Sequence, residues 1–239
     1  MRSDIRNLCL ASFIFLACFC VGCGVRNTAA STGTVPDASA PPSYPPPPPL
    51  DARPKLVAFG DSFTAGLGID DWRKTYPALL QDDLDATGFD LQVVNRGRTG
   101  DTSTQGLARL PEALGTGEVR IFILSLGGND VFRGVPRDET RASLAEIIQQ
   151  AKAKRAKVLL CGYEPLDADR ATPMREMYAE LAREKNVQLL PSLLQGVQQD
   201  PKLLLPDGVH PNEDGVKVVE QNVWKALQPL LHDEPKVKR

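Results

Sequence analysis

The sequence predicts a doubly wound α/β fold, one parallel sheet covered by helices on both faces. Two observations predict it. Five short, almost unbroken apolar runs have the make-up of strands buried on both sides. Apolar stripes at helical spacing lie between them. Strand and helix signals that alternate along a chain imply parallel strands joined by right-handed crossovers.

The first run is Leu56–Phe59, and the stripe after it is Tyr76, Leu79, Leu80 and Leu84. The second run, Leu91–Val94, contains one glutamine. The third is Ile121–Leu124, followed by the stripe Leu144, Ile147, Ile148 and Ala151. The fourth, Val158–Cys161, precedes Met174, Met177, Tyr178 and Leu181. The fifth is Val187–Leu190, and Val216, Val219, Val223 and Leu227 mark a last helix. Spacings of three and four place each stripe on one helix face. The methionines therefore read as core. No internal repeat is visible.

Composition sets outer limits. The 239 residues allow one domain of ordinary size or at most two small ones. A hydrophobic fraction of 42% excludes disorder over the whole length. A formal net charge of −2 gives no basic footprint for nucleic acid. His210 and His232 are the only histidines, which excludes zinc sites built on several histidines unless carboxylates supply the rest.

The ends differ from the middle. Arg2 and Arg6 precede an apolar run from Leu8 to Gly22, the pattern of a secretory signal and too short for a membrane span. The segment ends Cys20-Val21-Gly22-Cys23-Gly24. It resembles the lipobox of bacterial lipoproteins, in which the cysteine, here Cys23, is lipidated and becomes the first mature residue. Cys20 stands where a leucine is usual. The alternative is a plain signal peptide cut near Ala17 or Ala30 that releases a soluble protein. Residues 1–22 are thus expected as signal, and 23–54 as lipidation site plus disordered tether. Nine of the twenty prolines lie between Gly24 and Pro54, including the run Pro45–Pro49. Such a stretch has no apolar periodicity and extends at about 3.1 Å per residue where polyproline dominates. The domain is expected over 55–232, and a frayed charged tail over 233–239. Cys161 is then the one cysteine in the folded part, so no internal disulfide can form there.

In open parallel sheets, ligands bind beyond the carboxyl ends of the strands. The segments that follow the apolar runs there are polar and glycine-rich. They are Gly60-Asp61-Ser62-Phe63, Asn95–Thr102, Gly127-Gly128-Asn129-Asp130 and Asp207-Gly208-Val209-His210-Pro211. A serine attacks a carbonyl only if a base takes its proton, and His210 is the one histidine on such a segment. The base must be held in one tautomer, commonly by a carboxylate. Asp207 is three residues away across Gly208, which permits the tight turn. Acyl transfer also needs donors for the oxyanion. The N–H of Gly100, the amide of Asn129 and the N–H of Ser62 are suitable. In the flavodoxin-like strand order 2-1-3-4-5, the loops carrying Gly100, Ser62 and Asn129 lie side by side.

These four blocks, GDSF, NRGRTGDTS, LGGND and DGVHP, resemble in order those of the SGNH (GDSL-type) hydrolases. The nearest subgroup is the bacterial thioesterase I, lysophospholipase and arylesterase one. The match runs from Val57 to about Leu231 and includes Gly106–Pro111 and Arg133-Gly134. The resemblance implies Ser62 as nucleophile, His210 as general base and acid, and Asp207 as orienting carboxylate. Gly100, Asn129 and the Ser62 amide would form the oxyanion hole. It implies an acyl-enzyme without metal or cofactor, and esters, thioesters or lysophospholipids as substrates. The expected partners are a small acyl ester or lipid and, through the anchor, a membrane. The expected location is the periplasmic face of a bacterial membrane, the outer one by the Gly24 rule, or outside the cell if lipidation fails. Two departures stand out. GDSF replaces the commoner GDSL, and the loop after the fourth run, Tyr163–Thr172, lacks the Pro-Asn-Tyr-Gly-like sequence of the subgroup. That second departure keeps open a carbohydrate O-acetyl ester as substrate. A non-catalytic envelope lipoprotein is the third reading.

Each residue also has a plainer reading. Ser62 could simply cap a helix, His210 could sit in a surface turn, and Asn129 could satisfy a buried turn. Gly97 rivals Gly100. Asp61, Asp101 and Asp130 read as loop-holding residues, and Arg98 and Arg133 as solvated surface.

Overall fold

The computed structural model of the protein describes residues 46–237. The predicted signal segment and Cys23 therefore lie outside the described residues. The chain runs β1 (Lys55–Gly60), α1 (Ser62–Ala65), α2 (Tyr76–Thr87), β2 (Gln92–Gly97), α3 (Ser103–Leu114) and β3 (Val119–Ser125). It continues α4 (Gly128–Arg133), α5 (Arg137–Ala153), β4 (Lys157–Cys161), α6 (Ala168–Lys185), β5 (Gln188–Leu190) and α7 (Glu213–Leu231). The five strands form one sheet in the order 2-1-3-4-5, as the sequence predicts. Each neighbouring pair is parallel. On one face α2 packs with α7, and on the other α3, α5 and α6 pack in series.

β1 lies between β2 and β3 and is buried along its whole length. Gly60, its last residue, is level with Gly97 of β2 and Ser125 of β3. The loops leaving these three strands thus start side by side. All four apolar stripes face the core, with Tyr178 and Leu80 fully buried. Cys161 is buried too, and burial pushes its thiol pKa up.

The structure adds to the sequence reading in three places. β2 extends through Asn95, Arg96 and Gly97, which read as a loop. It is an edge strand, so polar residues there reach solvent. α3 was not signalled by an apolar run, because Gly106 and Pro111 interrupt its pattern. A capping box starts it: Thr102 Oγ1 accepts the Gln105 N–H, and Gln105 Oε1 accepts the Thr102 N–H. Glu220 of α7 is buried, and it faces Asp83 of α2; burial first, then Asp83, raises its pKa to about 8.

Both predicted boundaries move. The end of the expected tether is not loose, because two buried polar side chains need partners there. Lys55 Nζ donates to the carbonyls of Asp51 (2.6 Å) and Arg53 (2.5 Å). Gln92 Nε2 donates to Pro49 O (2.9 Å), and its Oε1 accepts the Asp51 N–H (3.0 Å). The expected frayed tail is docked through Val237. Asp90 N–H donates to Pro235 O (2.8 Å) and Val237 N–H to Gly88 O (2.9 Å). Glu234 is buried, 3.0 Å from Arg120 Nε and 2.8 Å from Lys157 Nζ. A charged tail reads as solvated until two cations from separate strands are placed around its carboxylate.

Candidate active site

Three sheet-end loops and the turn before α7 meet at the carboxyl end of the sheet. Ser62 is the first residue of α1, capped by Asp61, whose Oδ1 accepts the Phe63 N–H (3.1 Å). Ser62 Oγ lies 2.9 Å from His210 Nε2. His210 Nδ1 lies 2.6 Å from Asp207 Oδ2. The other carboxylate oxygen, Asp207 Oδ1, accepts the N–H groups of Val209 (2.9 Å) and His210 (3.0 Å). This turn passes through Gly208 with φ +69°, a conformation glycine takes without strain. The backbone N–H groups of His210 and Val209, with the imidazole after them, hold the Asp207 carboxyl down at about 2. Asp207 is therefore ionised at neutral pH and fixes an N–H on His210 Nδ1, leaving Nε2 free to accept from Ser62. The Phe63 ring covers one side of the imidazole at 5.3 Å between centroids.

The donors expected for an oxyanion lie on the neighbouring loops. The N–H of Ser62 opens a helix and has no intrahelical acceptor. Asn129 is in the first turn of α4, and its Nδ2 donates to Asp101 O (2.9 Å) and faces Asp61 Oδ2 at 3.5 Å. Gly100 has φ +84° in the loop before α3. Its rival Gly97 packs against α1: a Cβ there would sit 2.1 Å from Ala65 N. Gly97 thus serves close packing, and Gly100 occupies the loop that Asn129 grips. Arg133, read as surface, donates from Nη2 to Gly100 O (2.7 Å), while Arg98 stays exposed, 3.5 Å from Glu112.

Beneath the site lies a buried polar network. Asp61 is 2% exposed. Burial first, with Asp130 and Asp101 nearby, raises its carboxyl to about 7 against the pull of the Phe63 N–H. Asp130 accepts from Ser103 N (2.8 Å), Ser103 Oγ (2.5 Å) and Thr140 Oγ1 (3.1 Å). Asp101 accepts from Arg109 Nε. Tyr178 Oη donates to Leu126 O (2.7 Å), at the end of β3 just before the Asn129 loop. Loop-holding is what the three aspartates do here. Arg109 and Tyr178 were not singled out by sequence; a lone arginine in a helix and a tyrosine in an apolar stripe carry no local mark of such contacts.

One cavity adjoins the His210 turn and a second lies beyond it. A crevice of about 180 Å³ runs past Gly208 and Val209, walled by Phe132, Tyr163, Leu166 and Leu194. Phe132 and Leu166 are exposed at 59% and 62%. Beyond Pro165, Leu166, Leu194 and Gln198 opens a groove of about 740 Å³ with Thr172, Ser192, Gln195 and Asp200 on its walls. Among the described residues no group of three or more His, Cys, Asp or Glu is placed to hold a metal ion.

Known proteins share this plan. The profile of the GDSL-like Lipase/Acylhydrolase family matches residues 58–218. Esterase TesA of Pseudomonas aeruginosa is 37% identical over 179 residues, spanning 74% of this chain and 89% of that protein. Thioesterase 1/protease 1/lysophospholipase L1 of Escherichia coli K12 is 37% identical over 183 residues, 75% of this chain and 86% of that protein. A crystal structure of TesA superimposes with a TM-score of 0.72 at 36% identity, covering 74% of this chain and 99% of that one.

Proposed function

This chain belongs to the GDSL-like lipase/acylhydrolase family, the SGNH hydrolases, and we propose that it cleaves acyl esters or thioesters through an acyl-enzyme formed on Ser62. The observation that carries the reading is the unbroken contact from Ser62 Oγ through His210 to Asp207, 2.9 Å and then 2.6 Å. In this reading His210 Nε2 takes the Ser62 proton as Oγ attacks the carbonyl carbon. The negative charge passes to the carbonyl oxygen, which Ser62 N–H, Gly100 N–H and Asn129 Nδ2 receive. His210 then returns the proton to the leaving oxygen or sulfur. Water, deprotonated by the same nitrogen, attacks the acyl-enzyme and frees the acid. The apolar crevice beside Val209 suits a short or medium acyl chain.

The test is a panel of p-nitrophenyl esters, acyl thioesters and lysophospholipids against wild type and Ser62→Ala, with fluorophosphonate labelling of both. Labelling and hydrolysis that survive in Ser62→Ala would end the reading. A sugar O-acetyl ester is a second reading, favoured by the hydroxyl- and amide-lined groove beyond Leu166. Acetylated glycans run beside the acyl esters decide between them.

Export and lipid anchoring at Cys23 belong to the same proposal. They are supported by the Arg2 and Arg6 start, the apolar run and the small residues before Cys23. Labelled fatty acid should enter the wild-type protein in a bacterial host and not Cys23→Ala. Equal labelling would place the lipid on another residue, and none in either would favour the plain signal peptide.

A further inference from the structure

Arg109 lies on α3 with a tenth of its side chain exposed. Its guanidinium has partners in three separate segments. Nη2 donates to Gly60 O (2.9 Å), Nη1 to Arg96 O (2.9 Å) and Nε to the Asp101 carboxylate. Its plane covers the Phe59 ring, with Cζ 4.1 Å from the centroid. Gly60 directly precedes Asp61 and Ser62. Asp101 directly follows Gly100, and its carbonyl accepts the Asn129 amide. One planar cation therefore ties the segment that carries Ser62 N–H to the loop that carries Gly100 N–H, and Asn129 Nδ2 joins the same loop through the Asp101 carbonyl.

We propose that Arg109 is the positioning residue of the oxyanion hole: it fixes the spacing between the three donors without touching substrate. This rests on the ester-hydrolase reading above. Arginine suits the task because its donors are set in a rigid fork and its face stacks on an aromatic ring. Lysine offers a single point of charge and cannot reach three acceptors in fixed directions. Donors aimed at a developing charge act in the transition state, so a shift in their spacing lowers kcat and leaves ground-state binding in place.

The experiment compares Arg109→Lys, Asn129→Ala and their combination on p-nitrophenyl butyrate, with kcat referred to the folded fraction measured by near-ultraviolet circular dichroism. Arg109→Lys should lower kcat roughly 10- to 100-fold, the scale of a 1 Å misplacement, with KM within about twofold. Combined with Asn129→Ala, its effect should shrink well below the product of the single effects, because an amide already removed cannot be misplaced. Asp101→Asn, which keeps the carbonyl that holds Asn129 but weakens the Arg109 contact, should repeat the kcat loss in milder form. A kcat within twofold of wild type in folded Arg109→Lys, a change in KM alone, or effects that multiply in the double variant would overturn the proposal. Ser62→Ala in the same assay separates the two failures. Activity without Ser62 ends the hydrolase reading itself, whereas an inactive Ser62→Ala beside a fully active Arg109→Lys ends only the role given to Arg109.

Discussion

The site has two halves built on opposite principles. The half proposed as proton relay is local: Asp207 and His210 are three residues apart in one turn, and Asp207 keeps 46% of its side chain in solvent. The half proposed to receive the oxyanion is assembled from distant segments and sits on buried carboxyl groups, with Asp61, Asp101 and Asp130 all at 6% exposure or less. The first is held by one turn of backbone, the second by the whole packing of three strand ends. A local device tolerates change elsewhere in the fold. A distributed one transmits it.

The largest effects should come from the relay. Ser62→Ala and His210→Ala should each lower kcat by about 10⁴-fold or more, and Asp207→Asn by a comparable factor through the wrong histidine tautomer. Hydrolysis of p-nitrophenyl butyrate checks this, and full activity in any of the three would dissolve the division into halves. Asn129→Ala should cost about 10²- to 10³-fold in kcat with little change in KM.

Below these lie opposite pH signatures. The Asp207 carboxyl is lowered to about 2 in the fold against 3.8. Its contribution to stability is complete above the unfolded value and is lost as pH falls from about 4 to about 2. Asp61 is raised from 3.8 to about 7. The native state then holds the extra proton, so stability falls as pH rises from about 4 to about 7 and is level beyond. Asp61→Asn keeps the capping oxygen and should remove that decline, whereas Asp207→Asn should remove the acid-side loss; urea titrations across pH 2–9 read both. If Asp61→Asn parallels wild type throughout, the buried half carries no strained charge. The smallest effect belongs to Glu220, outside both halves. Raised from 4.5 to about 8, it costs stability as pH rises across that window, so Glu220→Gln should raise Tm by about 2–4 °C at pH 9 and leave it unchanged at pH 4.

The same division governs what could be read before folding. The relay is legible because aspartate, glycine and histidine stand together in the chain; five apolar runs give the strands, and the flavodoxin-like pattern supplies their order 2-1-3-4-5. Ser62, Gly100 and Asn129 become neighbours only through that order, and four blocks in register made the step possible. The contacts of Arg109 and Tyr178 stayed hidden, since their partners lie 8 to 52 positions away in sequence, and α3 stayed hidden because Gly106 and Pro111 interrupt its apolar pattern. Glu234 in the charged tail misled for a related reason. Charge implies solvent unless the fold gathers counter-charges or carbonyls around it, and no local pattern announces such a gathering.

The seated segments at the two ends have a consequence for how the molecule meets its surroundings. Asp51 and Pro49 bind at the start of β2, while Glu234 and Pro235 bind near the starts of β2, β3 and β4. These contacts of the described residues therefore cluster at the amino ends of the strands, whereas Ser62 and His210 meet at the carboxyl end. Neither seated segment crosses the face of the sheet end that carries Ser62, His210 and Asp207, so the docking of the two described ends and the assembly of the site use opposite edges of the same strands.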